Sequence, residues 1–152
     1  AMTLAKALGS GAPLGAFLCK DEFSVLEPGD HGSTFGGNAL TTASGAAAAK
    51  VIVDEDVPAM AASSGTYLIG KLKGLIEKYP FITEVRGMGL LIGLEMTEEY
   101  APDVIDECEE KGLLLNAIRP TILRFMPPLN VSTDEMDEAV AIVDMAFSKI
   151  SR

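Results

Sequence analysis

The chain has 152 residues, is 48% hydrophobic and carries 22 acidic against 12 basic residues, for a net charge of −10. That length and apolar fraction are enough for a buried core, and the composition is not that of a disordered chain. The summed negative field repels phosphates, which disfavours nucleic acid and anionic membrane surfaces as partners and leaves room only for a local pocket that takes a small anion.

Gly15 to Lys20 has the apolar character of a short buried strand, and Asp21 is placed to cap a brief turn through Glu22 to Leu26 before Pro28-Gly29-Asp30 breaks it. A glycine-rich loop follows to Asn38, a candidate N-cap for an alanine-rich helix ending near Asp54. Pro58 marks the next helix start. From Ala59 to Tyr79 the residues Leu68, Leu72, Leu75, Ile76 and Tyr79 recur at helical spacing, and Pro80 stops the pattern.

Beyond Pro80 the pattern becomes an alternating α/β unit. Ile82 to Arg86 and Met88 to Met96 read as strands, the second packed around Gly87, Gly89 and Gly93. Pro102 opens an acidic helix with Val104, Ile105 and Cys108 inward, and Gly112 ends it. Leu113 to Ala117 and Thr121 to Phe125 follow as strands joined through Arg119-Pro120. The last helix starts at Ser132-Thr133-Asp134-Glu135, a capping-box pattern, and turns Met136, Ala139, Val140, Val143 and Phe147 inward. No apolar run reaches about 18 residues and no charged segment precedes an apolar one, so neither a membrane span nor a secretion signal is expected and the location expected is cytoplasmic. Cys19 and Cys108 show neither metal-ligand nor disulfide spacing, which fits buried thiols in a reducing compartment.

Two segments carry chemistry. Lys6 lies in an apolar stretch, Thr3-Leu4-Ala5-Lys6-Ala7-Leu8-Gly9, where partial desolvation lowers an amine's pKa and frees it as a nucleophile toward an aldehyde. Ser33 and Thr34 sit among glycines in His31-Gly32-Ser33-Thr34-Phe35-Gly36-Gly37-Asn38, where hydroxyls and backbone N–H groups can wrap an anion. Together they suggest a phosphorylated aldehyde cofactor held at both ends, of which pyridoxal phosphate is the common one. Gly9, Gly11 and Gly15 lack the spacing of a dinucleotide fingerprint. His31 is the only histidine and has no partner at metal spacing, so no metal site is expected. Arg124, within Ile122-Leu123-Arg124-Phe125-Met126-Pro127-Pro128, needs an anionic partner if buried: a salt bridge to one of the chain's acids, or the carboxylate of a ligand, which its planar fork matches. Arg86, before a glycine, reads as a brace, and the acids from Glu98 to Glu110 as a solvated helix face.

The segments TLAKALGSGAPLGAF, EPGDHGSTFGGN, EVRGMGLLIGLEM and ILRFMPPLNVSTDEMDEAV resemble, in order and spacing, the C-terminal part of class III pyridoxal-phosphate aminotransferases, those acting on acetylornithine above all. The resemblance implies an α/β chain of fold type I: residues 1–55 as the end of a large cofactor-binding domain, 56–80 as a connecting helix and 81–152 as a small C-terminal domain. It implies that Lys6 attaches the cofactor and shuttles the proton, that Thr34 and Ser33 bind the cofactor phosphate, and that Arg124 grips a substrate carboxylate. The substrates would be an amino acid and a 2-oxo acid, in arginine or ornithine metabolism, and the unit a homodimer in which Thr34 acts across the interface. The family's N-terminal half is expected to lie outside this sequence. The rival expectation is therefore a catalytically incomplete piece that self-associates or complements a missing half.

Overall fold

The computed structural model describes residues 1–150. It divides into two compact units, Ala1–Asp56 and Val57 onward.

The first unit is built from a two-stranded antiparallel ribbon and one helix. Strand β1 (Met2–Leu4) pairs with β2 (Ala16–Leu18), Thr3 facing Phe17. Between them a short 3₁₀ turn, Lys6–Gly9, ends at Ser10, whose N–H donates to Ala7 O at 3.0 Å. Helix α1 (Ala39–Asp54) opens as its sequence dictates: Asn38 Oδ1 accepts from Thr41 N at 3.1 Å, while Asn38 Nδ2 donates to Phe35 O at 2.9 Å. Small side chains let α1 close on the turn. Ser44 Oγ donates to Gly9 O at 2.7 Å, and a Cβ on Gly45 would lie 2.3 Å from Leu14 Cδ2. The strand expected to be buried over Gly15–Lys20 is not: Phe17 and Leu18 are 57% and 47% exposed. Its apolar residues have no covering layer in this unit, whose buried positions are Gly9, Thr41 and Gly45. Asp21 opens only a three-residue 3₁₀ turn, Asp21–Phe23, with no side-chain cap.

The second unit holds the core. Helix α2 (Val57–Gly74) buries Leu68 and Leu72, and the chain then turns so that Leu75 and Tyr79 continue the same apolar stripe without helical backbone. Strands β3 (Ile82–Met88) and β4 (Leu91–Met96) form a hairpin. The single strand expected from Met88 to Met96 is interrupted because Gly89, at φ 54°, turns the chain. Helix α3 (Ala101–Glu109) ends where expected, Gly112 at φ 83° letting Leu113 N donate back to Cys108 O at 2.9 Å. Strand β5 is Asn116–Arg119 rather than Leu113–Ala117, and β6 is Ile122–Phe125. Helix α4 (Thr133–Ile150) carries the predicted capping box: Glu135 N donates to Ser132 Oγ at 3.2 Å and Ser132 N to Glu135 Oε2 at 2.8 Å.

The sheet order is β3-β4-β6-β5 with every neighbouring pair antiparallel. Strands β4 and β5 therefore run parallel with β6 inserted between them, and α3 is the crossover of a split βαβ unit. One face of the sheet supplies Ile92, Leu94, Leu123 and Phe125 to a core completed by Val104, Val143 and Phe147 from the helices. Phe147 meets Tyr79 and Phe81 edge-on, each at a centroid distance of 5.4 Å. On the opposite face Ile122 is buried but stands outside that core cluster.

Candidate functional site

Lys6 occupies the second position of a turn closed by Leu8 N donating to Ala5 O at 3.2 Å, and its φ is 56°. A left-handed backbone costs a non-glycine residue roughly 1–2 kcal/mol, so this position is strained. The side chain is exposed, so the desolvation expected from its apolar stretch is not what this unit provides, and it has no hydrogen-bond or ion-pair partner among the described residues. Among the non-glycine residues with positive φ, Ser10 closes the 3₁₀ turn and Asp56 follows α1, whereas Lys6 stands inside its turn where a glycine is the ordinary choice.

The glycine-rich loop makes a second tight turn. Gly36 N donates to Ser33 Oγ at 3.0 Å, and a Cβ on Gly36 would sit 2.8 Å from that oxygen, so only glycine lets the turn close on the serine. Ser33 Oγ thus serves as an acceptor and keeps its own proton to donate. Thr34 is exposed, inside that turn, and Gly37 follows at φ 69°. No hydrogen bond joins Lys6 to Ser33 or Thr34 among the described residues.

Arg124 belongs to the second unit. It stands on β6 opposite Gly93 of β4 and Asn116 of β5, half-buried, with Nε donating to Asn116 Oδ1 at 3.0 Å. No carboxylate pairs with it among the described residues. The salt-bridge expectation is therefore not what the fold provides, and Nη1 and Nη2 are uncommitted among the described residues. Arg86, in the same row, is the contrary case: Glu95 and Glu84 both hydrogen-bond its guanidinium and hold its pKa above the ordinary arginine value. Arg124 and Asn116 also line a cleft of about 590 Å³, otherwise largely apolar, with Leu113, Leu115, Met126 and Pro127 among its walls. Asn116 was not legible as a site residue from the sequence.

The donor set fits a small phosphorylated aldehyde in chemical type. A primary amine stands on a strained turn and a serine–threonine–glycine turn offers hydroxyls beside a cradle that a Cβ would fill. His31 is exposed, and no group of three His, Cys, Asp or Glu side chains among the described residues is placed to hold a metal ion. No described helix is long and apolar enough to cross a membrane.

Residues 1–147 match the family model of Aminotransferase class-III. The chain is similar to the acetylornithine aminotransferase of Methanocaldococcus jannaschii, with 44% identity over 152 residues covering 99% of this chain and 38% of that protein. It is also 42% identical over 147 residues to an ornithine aminotransferase of Staphylococcus epidermidis, covering 95% of this chain and 36% of that one. Its fold superposes with a TM-score of 0.87, at 33% identity, on a crystal structure of the ornithine aminotransferase from Toxoplasma gondii that has partial occupancy of pyridoxal phosphate at its active site, covering 98% of this chain and 36% of that one. The chain thus spans a little over a third of the length of the relatives it matches.

Proposed function

The chain belongs to the class III aminotransferases, and from that membership we propose that it carries part of the machinery moving an amino group from N-acetylornithine, or a related ω-amino donor, to 2-oxoglutarate with pyridoxal phosphate. The acetylornithine and ornithine aminotransferases among its relatives support the donor class. The observation that carries the reading is the backbone of Lys6: strain of this kind persists where a side chain must be held in one direction.

Pyridoxal phosphate, when bound, supplies an electron sink that makes the proton on the substrate's amino-bearing carbon removable. Lys6 Nζ would hold the cofactor through its aldehyde and would serve as the base that moves that proton. The Ser33 and Thr34 hydroxyls and the neighbouring glycine amides would hold the cofactor phosphate as hydrogen-bond donors. Arg124 Nη1 and Nη2 take the carboxylate of the 2-oxo acid, with Asn116 holding the guanidinium plane through Nε. The exposed Phe35 and Leu40 beside the phosphate turn support a site shared with a second copy of the chain, to which Thr34 would donate.

The test is covalent trapping. Incubation with pyridoxal phosphate, borohydride reduction and peptide mapping should place the pyridoxyl label on Lys6 in clear excess over the other lysines, and Lys6→Ala should remove it. Equal labelling of Lys6 and of exposed lysines such as Lys73 and Lys111 would overturn the assignment.

A further inference from the structure

Arg86, Gly93, Arg124 and Asn116 form one row across the four strands, on the face of the sheet that points away from the core. A glycine within a strand interior weakens it and is retained for a backbone that needs positive φ, for a neighbour that leaves no room, or for a ligand or backbone that comes close. The hairpin's other glycines have the first two reasons: Gly89 has φ 54°, and a Cβ on Gly87 would lie 2.4 Å from Leu91 O. Gly93 has neither. Its φ is not positive, and the nearest atoms to an added Cβ are Ile122 Cγ2 at 3.7 Å and Arg86 O at 4.0 Å, ordinary contacts.

The third reason has a partner in view. In this row Gly93 stands between Arg124, uncompensated by any carboxylate among the described residues, and Arg86, held between Glu84 and Glu95. The field therefore draws a carboxylate to the Arg124 side and repels it from the Arg86 side. With Nε engaged by Asn116, the approach left to a carboxylate is end-on to Nη1 and Nη2.

We propose that Gly93 determines specificity for the carboxylate-bearing substrate: its bare backbone is the floor on which the carboxylate end of a 2-oxo acid lies to reach the Arg124 fork. This rests on the carboxylate role given to Arg124 above. A side chain at position 93 would stand between the ligand and the guanidinium while leaving the sheet intact, so binding and stability should move in opposite directions.

The experiment titrates 2-oxoglutarate into the wild-type chain, Gly93→Ala, Gly93→Val and Arg124→Gln, following the arginine side-chain NMR resonances and the melting temperature of each. Wild type should show a saturable shift of the Arg124 signals. Gly93→Val should weaken binding about tenfold or more, and Gly93→Ala by a smaller factor, with melting temperatures at or above wild type because both residues suit a strand better than glycine. Arg124→Gln should abolish binding. If Gly93→Val binds within about twofold of wild type while Arg124→Gln does not bind, the floor is refuted and the carboxylate role of Arg124 stands. Should wild type show no saturable shift, or Arg124→Gln bind like wild type, both ideas fall together. A lowered melting temperature in both Gly93 variants assigns the glycine to structure and overturns the proposal, the single methyl of Gly93→Ala deciding if Gly93→Val does not fold.

Discussion

Gly65 offers the sharpest test of how the second unit is held together. It is buried on α2, and a Cβ there would lie 2.0 Å from Gly89 O, 2.4 Å from Gly89 C and 2.8 Å from Gly89 Cα. A carbon–oxygen contact needs about 3.3–3.6 Å, so Gly65→Ala must push the helix off the hairpin by more than about 1 Å. All three obstructing atoms are backbone, with no rotamer to yield, which places the overpacking at the upper end of its usual range, about 3 kcal/mol. Helix propensity returns about 1 kcal/mol, leaving a net loss of about 2 kcal/mol. Gly70, on the same helix, has nothing within 4 Å of its absent Cβ. There the same substitution should gain up to about 1 kcal/mol by propensity alone. The chain has no tryptophan, and its three tyrosines, Tyr67, Tyr79 and Tyr100, all lie in the second unit, so tyrosine fluorescence during urea unfolding reports on that unit. With m of about 1–2 kcal/mol/M, the midpoint of Gly65→Ala should fall by about 1–2 M and that of Gly70→Ala should hold or rise. Equal effects of the two substitutions, or a Gly65→Ala midpoint unchanged from wild type, would refute the argument.

Two further outcomes are expected. The Ser132 backbone N–H, and then its hydroxyl, hydrogen-bond the Glu135 carboxylate and hold its pKa below the ordinary glutamate value, so its stabilisation is fully present above about pH 4.3 and lost as pH falls through the lower folded value. Glu135→Gln keeps a capping hydrogen bond but cannot titrate. Its stability should match wild type in acid, fall behind as pH rises through the lowered folded value, and show its full deficit from about pH 5 upward; a difference constant across pH would sink the assignment. Burial, with Glu107 adding, pushes the Cys108 thiol up to about 11. Iodoacetamide at about pH 8 should therefore modify half-buried Cys19 while Cys108 reacts only as the second unit unfolds, an idea that equal native rates would end.

The second unit was largely legible because its elements obey local rules that its core then rewards. The stripe Leu68, Leu72, Leu75 and Tyr79, the stop at Gly112 and the capping box at Ser132 all sit where periodicity and capping chemistry put them. The hairpin register was not legible. A regular two-residue turn with Arg119 opposite Ile122 places Ala117 opposite Arg124, but an irregularity between Ala117 and Arg119 shifts the ladder and brings Asn116 there instead. Nothing in Asn116-Ala117-Ile118-Arg119 announces that bulge, and the partner of Arg124 was missed with it. In the first unit the apolar pattern of Gly15 to Lys20 signalled burial, yet periodicity states only that a face is apolar and not what covers it.

Lys6, Gly93 and Gly65 each break a local rule, and the structure separates them by whether packing supplies the reason. Gly65, a glycine inside a helix, is explained in full by the carbonyl of Gly89 against it. Lys6 takes a left-handed turn position that favours glycine, and Gly93 leaves a strand position empty where a Cβ would make only ordinary contacts. A sequence tends to depart from local consistency without a packing reason where a ligand sets the requirement. On that criterion Gly93, which neighbouring atoms do not explain and which stands beside Arg124 in the sheet, is the position where the proposed carboxylate site would set the requirement.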